Sequence, residues 1–184
     1  MPYWGWIVIG IAAVVVVAAT VLGMRAGRTK RLRDAFGPEY DRTVDEAGSR
    51  GEAESELRER QKRHDQLDLK PLEPQARDDF LDRWRTTQER FVDDPRGATI
   101  EADQLVLEVM RARGYPVENI EQRAADISVD YPELVGNYRS AHEVAVRQSI
   151  GDATTEDLRN AMRHYRSLFD ELLETDAGER LRVR

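Results

Sequence analysis

The chain has no cysteine. Disulfides and thiolate metal sites are thereby excluded, although the missing thiol does not distinguish one compartment from another. A nucleophile would have to be a hydroxyl or a carboxylate, and no serine stands in a recognisable nucleophile elbow. The phosphate-cradling patterns G-x-x-x-x-G-K-[ST] and G-x-G-x-x-G are missing, as are H-E-x-x-H and EF-hand spacing. Glu-x-x-His, which builds di-iron sites in helical bundles, is missing too: Arg139 and Ala161 stand three residues before His142 and His164. No catalytic residue, metal ligand or cofactor is therefore assigned, and an enzyme is not favoured. Glycine and proline are sparse, at 12 and 7 residues. No segment alternates with period two between turn signals, so the expected fold is all-α with no sheet.

One apolar run stands out against this background. Tyr3 to Met24 (YWGWIVIGIAAVVVVAATVLGM) carries no charge. As a helix it would span ~33 Å, about the hydrocarbon thickness of a bilayer. Its Val and Ile favour strands in water, but a lone segment in lipid must satisfy its amides internally, and a helix does so. Tyr3, Trp4 and Trp6 suit the headgroup level at one end. Arg25, Arg28, Lys30, Arg31 and Arg33 follow the other end, and no Lys or Arg precedes the run. This asymmetry predicts a single-pass anchor in the cell (inner) membrane, with the N-terminus outside and the rest in the cytoplasm. The competing reading is a secretory signal or anchor with an exported domain. Against it, a signal has its basic residues before the apolar core and a small-x-small cleavage site after it. The basic collar fixes topology, and could also recruit anionic lipid at ~1 kcal/mol per side chain. Gly23 and Gly27 have small-xxx-small spacing, a weak seam signal at the membrane exit.

The formal charge is −7 although the juxtamembrane segment is basic. The remainder is therefore more acidic than the total, and nucleic acid is disfavoured as a partner because the dense basic cluster is pinned at the bilayer. Residues 1–35 form the anchor and basic segment, ended by Phe36-Gly37-Pro38. Residues 36–73 read as a charged, partly helical stalk and linker. Glu54–Arg58, Glu56–Arg60 and Glu59–Arg63 are i,i+4 pairs, the apolar positions are thin, and Leu67 to Pro74 holds two prolines.

Residues 74–174 read as a small antiparallel bundle of about five helices, built on 3.6-residue apolar stripes. They run from about Gln75 to Val92, Pro95 to Arg113, Glu118 to Ile127, Asp130 to Ser149, and Thr155 onward. Asp94 with Pro95 and Thr154 with Asp157 are start signals, and Gly114 is a stop. The expected core is Phe80, Trp84, Phe91, Leu105, Val109, Ile120, Leu134, Tyr138, Leu158, Met162, Tyr165 and Phe169. Residues 175–184 are expected to fray.

His64 reads as solvated among stalk charges, and His142 and His164 as polar rim residues. The richest polar constellation is Arg111-Ala112-Arg113-Gly114-Tyr115-Pro116 with Asp126, Asp130, Tyr131, Arg139 and His142. Two readings stay open. Arginines can bond carbonyls and caps at helix ends, or the group can line a small binding groove between bundle helices.

Several stretches carry a resemblance. They are Phe36-Gly37-Pro38-Glu39-Tyr40-Asp41, Phe91-Val92-Asp93-Asp94-Pro95 and Val109-Met110-Arg111-Ala112-Arg113-Gly114-Tyr115-Pro116. Asp126-Ile127-Ser128-Val129-Asp130 and Tyr138-Arg139-Ser140-Ala141-His142 continue it. Across most of residues 36–174 the chain resembles a group of uncharacterised bacterial proteins with one N-terminal transmembrane helix and a helical C-terminal domain. The resemblance implies a shared helical domain and transfers no functional residue.

The favoured expectation is an anchored cytoplasmic module for protein partners, an adaptor or scaffold, with the lipid bilayer as its other partner. The alternatives are a ligand-binding or enzymatic bundle using the Arg/Asp turns, and an envelope structural or lipid-sensing protein. The oligomeric state is left open.

Overall fold

The structure is a computed structural model that describes residues 26–182, together with 16, 19, 20, 23 and 24; side chains are described through residue 174. Every regular element among the described residues is a helix. None of them is long and apolar enough to cross a membrane. The expected span from Tyr3 to Met24 falls outside the described residues, apart from 16, 19, 20, 23 and 24. The chain divides into two compact units, ending and beginning at Leu57 and Arg58.

The first unit holds residues 26–36 (α1), Pro38–Ala47 (α2) and the first half of Arg50–His64 (α3). Its apolar residues are few, yet Phe36, Tyr40, Ala53 and Leu57 are each no more than 1% exposed. They meet because the chain turns twice. Gly37 adopts φ 46, which a side chain would resist, and Pro38 then opens α2 with its fixed φ. Gly48 closes α2 in the left-handed region, and Ser49 starts α3. The Glu52 amide donates to Ser49 Oγ at 3.3 Å, while Ser49 Oγ donates to Glu52 at 3.0 Å, a variant of the capping box. Glu54 accepts from Thr29 Oγ1 at 2.6 Å and from the Tyr40 hydroxyl at 3.1 Å. What reads as a thin stalk is thus a small packed unit up to Leu57. A period-based reading misses it because its apolar side chains come from three elements, with too few on any one to make a stripe.

The second unit holds the end of α3, a strap over residues 65–73, and five helices. These are Pro74–Arg90 (α4), Pro95–Arg113 (α5), Ile120–Asp130 (α6), Val135–Ser149 (α7) and Thr155–Arg182 (α8). Helix α5 packs against α8 and α4, α7 against α8, and α6 against α7. Leu105, Val109, Leu158, Phe169 and Tyr138 fill the interior, and the Trp84 ring stacks on Phe169 with centroids 4.5 Å apart. Phe80, Phe91, Ile120 and Leu134 pack at the margin of this core rather than inside it.

Local signals set the element ends. Asp94 accepts from the Gly97 amide at 2.9 Å and starts α5. Asn119 accepts from the Gln122 amide at 3.0 Å and starts α6. Thr154 and Asp157 bond reciprocally, with the Asp157 amide donating to Thr154 Oγ1 at 3.2 Å and the Thr154 amide to Asp157 at 2.9 Å. Two boundaries differ from expectation. Helix α6 continues to Asp130, and Pro132 lies in the turn before α7 rather than in its first turn.

The strap is pinned rather than loose. The Lys70 amide donates to the Arg113 carbonyl at 3.0 Å, Leu72 is 4% exposed, and Leu67 and Leu69 pack on the core. Gly114 makes this possible. It has φ 98, and a Cβ there would collide with the Asp68 carbonyl oxygen.

Candidate functional site: a histidine, carboxylate and tyrosine junction

Three of the expected site residues come together where α3, α5 and α6 end. Arg113 lies in the last turn of α5, Tyr115 follows its glycine cap, and Asp130 closes α6. The Tyr115 hydroxyl, on a side chain 3% exposed, donates to Asp130 Oδ2. The same oxygen accepts from His64 Nε2 at 2.7 Å. The His64 and Tyr115 rings lie 6.3 Å apart between centroids. His64 is therefore no solvated stalk residue: its side chain is 13% exposed, against 32% for Asp130. Burial against the bundle, through the strap that returns from α3, overrides the polarity of its sequence neighbours.

Arg113 is buried behind this group. Its Nη1 donates to the Tyr131 hydroxyl at 3.1 Å and to the Leu172 carbonyl at 2.8 Å, tying the end of α5 to the α6–α7 turn and to α8. Asp126, one turn before Asp130, is 1% exposed and accepts from Gln122 Nε2 at 2.8 and 3.0 Å. Arg63 Nε stands 3.9 Å from it. Consecutive cations of α3, Arg63 and His64, thus face consecutive-turn carboxylates of α6.

The remaining expected residues are dispersed. Arg111 is exposed on α5. Arg139 and His142 are half-buried on α7, and His142 Nδ1 is buried without a hydrogen-bond partner. In the basic collar, Arg28, Lys30 and Arg31 are exposed, while Arg33 bonds Asp41 at 2.7 Å and lies over the Tyr40 ring. Tyr3, Trp4, Trp6 and Arg25 fall outside the described residues. His64 is the residue that sequence reasoning misses. Its one available signal was position: it ends a charged helix shortly before the leucines Leu67, Leu69 and Leu72.

Electrostatics define what the junction can do. The hydrogen bond to Asp130 holds the His64 pKa above the ordinary histidine value, against burial, with Asp126 and Asp65 adding to the rise. Burial works to raise the Asp130 pKa, but the His64 and Tyr115 hydrogen bonds prevail and hold it below the usual carboxylate range. Burial and the Asp130 carboxylate push the Tyr115 phenol far up, so it stays a donor. Below the ordinary histidine pKa of about 6.5 the pair is therefore an imidazolium on a carboxylate. A cation already bonded through Nε2 is a poor general base, which favours a latch over proton-transfer chemistry. Among the described residues no group of three or more histidine or acidic side chains is placed to hold a metal ion.

Comparison with protein families, with curated proteins and with solved structures finds no match to this chain.

Proposed function

We propose that the chain is a single-pass, membrane-anchored interaction module, an adaptor or scaffold whose helical bundle is displayed to protein partners in the cytoplasm. The uncharged run Tyr3 to Met24 and the cations that follow it support the anchor and its direction. The observation that carries the partner reading is an apolar pole on the bundle. Val146 and Ile150, one turn apart at the end of α7, are 53% and 76% exposed. Gln148 between them donates to the Arg96 carbonyl at 3.0 Å, bringing the end of α7 to the start of α5. There Ile100 is 49% exposed, and Val92, in the preceding turn, is 83% exposed. Four large aliphatics at neighbouring helix ends, among charged side chains, have the make-up of a protein-binding patch.

Proximity labelling from the C-terminus of the full chain in cells tests this. The labelled set should exceed that of the bare anchor and shrink in a Val146→Asp/Ile150→Asp variant that keeps its helicity. A set no larger than the bare anchor's, or indifferent to the double substitution, removes the reading. Protease protection on membrane vesicles checks the direction: the bundle should be shielded in right-side-out vesicles and cut in inverted ones.

A further inference from the structure

The cations that follow the apolar run are not equivalent once α1 is folded. Helix α1 turns one face toward its own unit. Thr29 Oγ1 donates to Glu54 at 2.6 Å, and Leu32 and Phe36 are 6% and 1% exposed. Residues three and four apart share a face, so the rest of the circumference is left outside. Arg28, Lys30 and Arg31 lie there, exposed, and none of them forms an ion pair with a described residue. Arg33 differs. Its Nη2 donates to Asp41 at 2.7 Å, and its guanidinium lies over the Tyr40 ring, 5.1 Å from the centroid.

Three unpaired cations within four positions are a local excess in a chain of formal charge −7. Asp34, the one acid between residues 26 and 36, stands farther from Met24 than any of the three. Their place along the helix is informative. At ~1.5 Å per residue, Arg28, Lys30 and Arg31 stand roughly 6, 9 and 11 Å beyond Met24. A headgroup layer is roughly 5–7 Å deep on each side of the hydrocarbon. Long cationic side chains reach back toward it, and a charge acts over a Debye length of about 8 Å at physiological salt. Arg33, roughly 14 Å along by the same rise, is beyond that reach and already neutralised.

We infer that Arg28, Lys30 and Arg31 form a headgroup clamp that gathers anionic phospholipid around the anchor, and that Arg33 is not part of it. This rests on the anchored reading above, in which Met24 marks the exit from the bilayer. The two guanidiniums offer paired N–H donors to a lipid phosphate, and the Lys30 ammonium adds a point charge. Each basic side chain near a membrane surface strengthens association about fivefold. Zwitterionic lipid carries the same phosphate without net charge and gains less. Because Thr29, Leu32 and Phe36 hold α1 on its unit, the clamp is presented on an ordered helix, which lowers the ordering cost of binding.

Nuclear magnetic resonance on the full chain in nanodiscs tests it, with phosphatidylglycerol replacing phosphatidylcholine stepwise. The amides of Gly27, Thr29 and Leu32 should shift and saturate. In Arg28→Gln/Lys30→Gln/Arg31→Gln, whose glutamines suit a helix surface, the phosphatidylglycerol fraction at half-shift should rise at least about fivefold. Arg33→Gln/Asp41→Asn removes an existing pair without changing net charge, and should leave that fraction in place. Sodium phosphate added to pure phosphatidylcholine discs should not move the three amides. A chain that fails to enter phosphatidylcholine discs removes the anchored reading and this proposal with it. Entry without a saturable response to phosphatidylglycerol removes the clamp alone. A saturable shift with free phosphate overturns it in favour of a soluble anion site. An Arg33/Asp41 variant as impaired as the triple variant overturns it too, because charge would then act regardless of pairing.

Discussion

The His64–Asp130 pair predicts a particular pH signature. Consider His64→Gln, which removes the titrating charge and keeps a polar side chain of similar reach. A hydrogen bond between charged groups contributes about 1.5–3 kcal/mol. With Asp130 32% exposed, solvent weakens the interaction, which points to the lower end, about 1.5 kcal/mol. For a unit of this size that corresponds to roughly 4–8 °C in melting temperature. The sign follows from linkage. His64 has its folded pKa raised, so its contribution is fully present below the unfolded histidine pKa of about 6.5 and is lost as pH rises through the folded value. Asp130 has its folded pKa lowered. Its contribution is present above the unfolded value of about 3.9 and is lost as pH falls through the folded one.

The gap between wild type and variant should therefore be widest between about pH 4 and 6.5 and should narrow toward pH 9. Thermal unfolding of the full chain, followed by circular dichroism across that range, reads it directly. Asp126, Asp65, Tyr115, Arg63 and Arg113 also surround the pair, but they are present in both proteins and cancel in the difference. A gap that stays constant from pH 5 to 9 would show that His64 acts by packing alone and would refute the ion-pair argument.

Other perturbations follow from the same geometry. Gly114→Ala meets both a left-handed backbone and the Asp68 carbonyl, so it should cost about 1–3 kcal/mol. Gly136→Ala, at a helical glycine with nothing within 4 Å, should stabilise by about 0.4–1 kcal/mol; denaturant melts of the two variants should move in opposite directions. Phe36→Ala removes a ring 1% exposed and should cost about 3–5 kcal/mol. Hydrogen exchange should report this loss in residues 26–57 while the amides of α5 and α8 keep their protection. Thr154→Ala breaks the reciprocal cap with Asp157 and should cost about 1 kcal/mol, seen as faster exchange in the first turn of α8.

Much of the bundle was legible because its information is local. Asp94, Gly114 and Thr154 with Asp157 act within a turn of themselves, and the structure has them in those roles. Apolar stripes on α5 and α8 likewise named Leu105, Val109, Leu158 and Phe169 as interior. The start of α6 was nearly as accessible, since Asn119 and Gln122 have capping spacing, but Pro132 drew attention to the wrong turn of α7. The first unit was hidden for another reason. Phe36, Tyr40, Ala53 and Leu57 are scattered over three elements, and only the two glycine turns bring them together. Of the Arg/Asp constellation, Arg113, Tyr115 and Asp130 converge with Tyr131, whereas Arg111 is exposed. The residue that completes the group, His64, lies 66 positions from its partner, beyond any local pattern.

That long-range pairing has an electrostatic logic of its own. Asp130 is the last residue of α6, and a carboxylate at a helix C-terminus opposes the helix dipole. Left alone there and partly buried, it would be drawn toward its neutral form. Lys62, Arg63 and His64 form the last turn of α3, where positive charge suits that helix's own dipole. Setting His64 on Asp130, and Arg63 near Asp126, lets one helix end compensate the other. Both α3 cations can do so only if the chain doubles back immediately, which is what the pinned strap and the side-chain-free Gly114 allow. The acidic end of α6, unfavourable for that helix in isolation, thereby becomes the feature that fixes where α3 ends.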